Sequence, residues 1–103
     1  MTNDAETLPP EIVTEAGELI SELRSAGWTV EGSQFDAKVF GNWFVDLRRA
    51  SRTLRLVKDR SQFMVDGPSM QQKKDAGLWR GFGSFEEFHE AIKDFAVIGS
   101  RQE

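Results

Sequence analysis

Cysteine is absent from this chain, and histidine occurs once, as His89. Without thiols there can be no disulfide framework and no thiolate metal site. With a single imidazole, only an all-oxygen arrangement could hold a cation, and no Asp/Gly-rich calcium loop is present. Tyrosine is also missing, so the aromatic content comes from eight Phe and three Trp. No apolar run approaches the roughly 20 residues of a membrane span. The first residues, MTNDAETLPPE, are acidic and polar, unlike a secretory signal. These absences lead to the expectation of a soluble cytoplasmic protein.

Catalytic constellations are equally scarce. His89 lies among acids, off the apolar stripe of its helix, and reads as a solvated surface residue. No Ser or Thr is placed beside it as a nucleophile. Carboxylates such as Glu86, Glu87 and Glu90 read as exposed helix acids rather than a general-acid pair. Gly77, Gly81 and Gly83 precede Ser84 without the spacing of a phosphate loop. The sequence therefore implies no enzyme, no catalytic residue, no cofactor and no metal.

What is present is a segregated charge. The formal net charge is -4, which disfavours general nucleic-acid affinity. Residues 1–26 hold six acids against Arg24, and residues 86–103 are acidic again. Between them, Arg48, Arg49, Arg52, Arg55, Lys58 and Arg60 face only Asp46 and Asp59. Mutual neutralisation within the fold is one reading. A basic surface for an anionic partner is the other.

The 103 residues suit one domain, with 39% hydrophobic content sufficient for a core. Residues 1–7 read as a disordered tail, 8–99 as a single α+β domain and 100–103 as a loose C-terminal tail. A helix is expected from Pro9 to about Ala26, with Ile12, Ala16, Leu19, Ile20 and Leu23 on one face. Prolines suit its first turn and Gly27 its end. Glu11, Glu15, Glu18 and Glu22 read as its wet side. Ser84 opens a second helix through a capping box with Glu87. Phe85, Phe88, Ile92 and Phe95 form its buried stripe, and Gly99 its stop. Residues 67–77 read as a loop. Leu78, Trp79 and Phe82 then form a short strand or fold across the sheet.

The stretch Trp43–Asp66 alternates apolar and polar residues between short polar turns, the signature of an antiparallel meander. Pairing Leu47 with Leu54, Val45 with Leu56 and Leu56 with Val65 puts Trp43, Val45, Leu47, Leu54, Leu56, Phe63 and Val65 on one face. The turns then fall at Arg49–Arg52, as type I, and at Arg60-Ser61. Trp28–Val30 begins the sheet, residues 31–34 turn, and Phe35–Val39 forms a further strand. A three-residue loop of Phe40, Gly41 and Asn42 would pair Val39 with Trp43, Ala37 with Val45 and Phe35 with Leu47. The fold expected is a two-layer α+β sandwich in the order α-β-β-β-β-α. Its antiparallel sheet has four or five strands, and the N- and C-terminal helices pack on one face.

The same register defines the opposite face. Asp46, Arg55 and Asp66 form one row, with Arg55 between two carboxylates. Phe44, Val57 and Met64 form the next, and three apolar residues in line exceed scattered surface apolars. With Arg48, Arg55 and Trp79 they make a candidate partner-binding surface of residue types enriched at interfaces. The leading functional expectation is a non-enzymatic protein-interaction module. Examples are a small bacterial inhibitor or immunity-type protein, a secretion chaperone or an assembly subunit. Its partner is a protein, a second copy of the chain included. The alternative is a small anionic-ligand or nucleic-acid binder using the basic hairpin turns. Helix, strands, helix is an order that resembles double-stranded-RNA-binding domains, which would imply phosphate-gripping lysines at the start of the second helix. That stretch here reads SFEEFHE and repels phosphate. The acidic first helix before a sheet is similar in layout to frataxins, without their Gln/Trp-rich sheet signature. Neither family is assigned.

Overall fold

The computed structural model describes residues 8–39, 41–66, 71, 74, 78 and 81–98. The expected tails, the Gly99 stop, Trp79 and most of the 67–77 loop lie outside these residues.

Helix α1 spans Pro10–Ser25. Pro9 precedes it with φ -53° and ψ 139°, so both prolines occupy positions whose N–H would have no helical acceptor. Ile12, Ala16, Leu19, Ile20 and Leu23 are all buried, at 0–1% exposure. Burying each Leu or Ile contributes roughly 1.5–3 kcal/mol, so this stripe outweighs local propensity in holding the helix. At the far end Gly27 takes φ +102°, and the Trp28 N–H donates back to the Leu23 carbonyl. A residue with a Cβ would be strained there.

Four antiparallel strands follow, β1 (Thr29–Asp36), β2 (Asn42–Arg49), β3 (Arg52–Asp59) and β4 (Gln62–Asp66), ordered β1-β2-β3-β4 across one sheet. The meander pairs as its alternation predicts: Leu47 with Leu54, Val45 with Leu56, Leu56 with Val65. Its inner face, Trp43 to Val65, is buried at 0–5% exposure. The turns differ from expectation in type. Ala50 has φ +56°, so Ala50-Ser51 is not a type I turn. Arg60 and Ser61 both lie at positive φ, 52° and 70°, the primed geometry that matches strand twist.

The first hairpin corrects the sequence reading. Residues 31–34 do not turn but continue β1, and Phe35 pairs with Trp43 rather than Leu47. Ser33 opposes Val45, and Val30 opposes Leu47 across a bulge at Glu31. Ala37 and Val39 are not core residues. They lie in the connection, with Val39 43% exposed. The cause is local. The Asp36 carboxylate accepts the Lys38 N–H at 3.0 Å, the Val39 N–H bonds the Asp36 carbonyl, and Gly41 supplies φ +68°. This side-chain turn ends the strand at Asp36. Asn42, expected in the loop, starts β2 instead.

Helix α2 spans Phe85–Ile92 and continues as a wider π-turn over Lys93–Ile98. The Ser84 hydroxyl accepts the Glu87 N–H at 3.5 Å, in accord with the capping pattern. Phe88, Ile92 and Ala96 are fully buried, while Phe85 and Phe95 are partly so. The Ala96 carbonyl, within the π-turn, accepts the buried Trp28 indole N–H at 2.9 Å. Both helices cover the same face of the sheet, giving the two-layer α+β sandwich. Phe63 anchors the junction, with ring centroids 5.2 Å from Phe85 and 5.7 Å from Phe88. Phe82 exchanges both backbone hydrogen bonds with Phe63 at 2.8 Å, adding a single rung beyond β4. Its side chain and Leu78 join the core, so neither crosses the opposite face as a lid.

Candidate interaction surface

Period-two alternation along four strands puts a lattice of side chains on the face away from the helices. One row is Gln34, Phe44, Val57 and Met64. On one side lies Gly32, Asp46, Arg55 and Asp66. On the other lies Asp36, Asn42, Asp59 and Gln62. Arg48 stands one row beyond Asp46. The sequence reading therefore brings Phe44, Val57, Met64, Arg55 and Arg48 together correctly. Gln34, Asp36 and Asn42 were missed because the shifted first hairpin hid what stands beside Phe44, and Asp59, opposite Gln62, was not placed on this face.

Phe44, Val57 and Met64 are half-buried, although neither α1 nor α2 covers them. Part of the cover comes from the same face. The Arg55 guanidinium lies 4.1 Å from the Phe44 ring centroid, a cation–π contact. Arg55 also forms a two-pronged ion pair with Asp46, at 2.7 and 3.0 Å. That hydrogen bond is the largest influence on the guanidinium and, with the smaller contributions of the Asp46 and Asp66 charges, holds it above its ordinary pKa against the opposing effect of desolvation. The pair fixes a long side chain flat over the aromatic ring. At the β4 end, a Cβ on Gly81 would sit 2.8 Å from Gln62 Oε1 and 3.6 Å from Met64 Cγ, so backbone closely borders the row there.

Two shallow depressions flank Arg55. One, about 390 Å³, is lined by Glu31, Asp46, Thr53, Arg55 and Asp66, with Leu47 and Leu54 at its floor. The other, about 330 Å³, lies among Gln34, Asp36, Val39, Phe44, Val57 and Asp59.

The basic residues are engaged within the fold. Arg48 Nε reaches both Glu31 oxygens at 3.0–3.1 Å. Arg49 Nε donates to the Ala26 carbonyl at the end of α1. Arg52 lies 5.6 Å from the rings of both Trp28 and Phe95. Lys58 Nζ donates to both Glu15 oxygens at 3.0 Å, and the Trp43 indole N–H joins them at 2.8 Å. The Arg60 N–H donates to Asn42 Oδ1, whose amide reaches Asp59.

Two expectations about the helices change accordingly. The glutamate stripe of α1 is not wholly its wet side, since Glu15 tethers the sheet. Glu22 meets His89 across the two helices, with Oε1 and Nε2 2.6 Å apart. His89 is thus half-buried, its side chain 18% exposed, rather than a solvated residue. Trp79 lies outside the described residues.

Among the described residues, no group of three or more His, Asp or Glu is placed to hold a metal ion. No helix among them is long and apolar enough to cross a membrane. Compared with models of known protein families, with curated proteins and with solved structures, the chain finds no match.

Proposed function

We propose that this protein is a non-enzymatic interaction module that binds a protein partner through the outer face of its sheet. The observation that carries the reading is the Phe44–Val57–Met64 row, three apolar residues in register on a face that neither helix covers. Aromatic, thioether and Arg side chains set together are the composition of interface centres. Arg55 fits such a role because it is already immobilised over Phe44, which lowers the entropy lost when a partner docks.

The test pairs Phe44→Asp with Met64→Asp in one variant. A thermal melt and a sedimentation measurement establish its folding and its oligomeric state. Wild-type and variant protein are then used as baits against extract of the native host. A folded variant that no longer retains a protein held by the wild type supports the reading. So does a wild-type dimer that the variant converts to a folded monomer. Identical retention and identical size by both baits would overturn it.

Binding of an anionic ligand at the hairpin turns has less support. Arg48, Arg49, Arg52 and Lys58 each have a partner in the fold, which a phosphate would have to displace. Affinity for a phosphate ligand would fall steeply with salt, whereas an apolar interface responds weakly.

A further inference from the structure

Three arginines of the sheet differ in the rings they meet. Arg52 lies 5.6 Å from two, Trp28 and Phe95. Among the described residues, Arg55 meets one, Phe44, at 4.1 Å, and Arg48 meets none. Arg48 and Arg55 are otherwise alike, each exposed and each paired with one carboxylate, Glu31 or Asp46.

A guanidinium is a flat cation with two faces and an in-plane rim of donors. At Arg55 one face rests on Phe44, and one edge of the rim, Nε and Nη2, donates to Asp46. The side chain is still 45% exposed. With the inward face taken by Phe44, that exposure belongs to the outward face and the remaining edge. The ring beneath and the carboxylate beside fix the plane before a partner arrives, so little rotamer freedom is lost on docking.

The chemistry of the outward face selects what covers it. A guanidinium is weakly hydrated, so water leaves it more readily than it leaves an ammonium. An aromatic ring presents its negative π face to the cation and stacks without disturbing the in-plane hydrogen bonds to Asp46. A carboxylate would instead approach in the plane, beside Asp46, and meet like charge. An aliphatic group offers no quadrupole. Within the fold, Arg52 on the same strand already meets two rings.

Resting on the reading that this face docks a protein, we infer that the partner lays an aromatic side chain, Trp, Tyr or Phe, on the outward face of Arg55. The ring completes a Phe44–guanidinium–aromatic stack, and apolar neighbours of that ring lie over Val57 and Met64. Trp, Tyr and Arg are the residues in which interface hot spots are enriched.

N-acetyl-tryptophanamide, a neutral aromatic probe, is titrated into the intact isotope-labelled chain, with N-acetyl-leucinamide as its aliphatic counterpart. Proton–nitrogen correlation spectra follow the Nε–H signals of Arg55 and Arg48 separately. Ring-current shifts report a ring over either guanidinium, and Arg48 serves as the control inside the same molecule. The aromatic probe should move the Arg55 signal about threefold or more as far as that of Arg48. The leucine probe should move neither. The Arg55 shift should persist at moderate salt, because the probe is uncharged. Phe44→Leu keeps the row apolar and leaves the Asp46 pair in place, and it should bring the Arg55 shift down toward that of Arg48.

Equal shifts at the two arginines overturn the inference. Equal responses of Arg55 to the two probes overturn it as well, and so does an undiminished shift in Phe44→Leu. Each of these results leaves the docking face standing, since the bait comparison above tests that face without any aromatic probe.

Discussion

Strands β2, β3 and β4 carry two apolar rows that differ only in which way the side chains point. Inward, Val45, Leu56 and Val65 are sealed by the helical layer, with Val45 and Leu56 at 0% exposure. Outward, Phe44, Val57 and Met64 stay half-buried, with Phe44 shielded by Arg55 from its own face. Alternation alone does not say whether an apolar row is core. A second layer decides, and where none arrives, one long planar side chain can cover apolar surface while remaining wet. Such cover can be displaced or built upon, unlike core packing.

Substitutions separate the two rows, and the largest effect is expected inside. Leu56→Ala should cost about 2–5 kcal/mol, against about 1 kcal/mol for its outward neighbour Val57→Ala. Urea unfolding measures both, and equal costs would mean that the outer row is sealed like the inner one. Next is the polar tie between the layers. Glu15→Ala leaves the Trp43 indole N–H and the Lys58 ammonium without their shared acceptor, and should cost roughly 1–3 kcal/mol in the same assay. A smaller change has the opposite sign. Asn at position 60 with Gly at 61, written Arg60→Asn and Ser61→Gly, relieves two positive-φ residues and should add about 1 kcal/mol. The smallest effect on stability belongs to Arg55→Ala, about 0.2–1 kcal/mol for a half-exposed ion pair. The same variant should show raised binding of an apolar dye, since Phe44 loses its cover. An unchanged dye signal would remove Arg55 from that role.

The register of the meander was legible because its inner positions are uniformly apolar and its turns short, so a one-residue slip would have buried charge. Strand β1 was not legible for the converse reason. It lies at the sheet edge, its inward Ser33 need not be apolar, and the bulge at Glu31 breaks the alternation. Ala37, Val39 and Trp43 supplied a false alternation in its place. What opposed it was the Asp36-Ala37-Lys38 turn, a signal carried by one carboxylate. The candidate surface was therefore readable where β2, β3 and β4 build it and obscured beside β1. The Glu15 and His89 contacts were beyond reach for another reason. Spacing along a helix places residues on a face, but which residue of another element meets them depends on how the layers dock. Arg49 and Arg52 show the same limit, since they read as surface charge and serve to close a helix end and stack on rings.

The Phe63–Phe82 rung has a bearing on assembly. A four-stranded open sheet ordinarily offers two free margins, and repeated addition at both builds indefinite stacks. Here the backbone of residue 82 pairs with Phe63 on the far side of β4, leaving β1 as the margin with no neighbouring strand residue among the described residues. Joining through β1 would consume the remaining margin of each molecule at once. Such growth is self-limiting at two chains, and it would leave both outer faces available to partners.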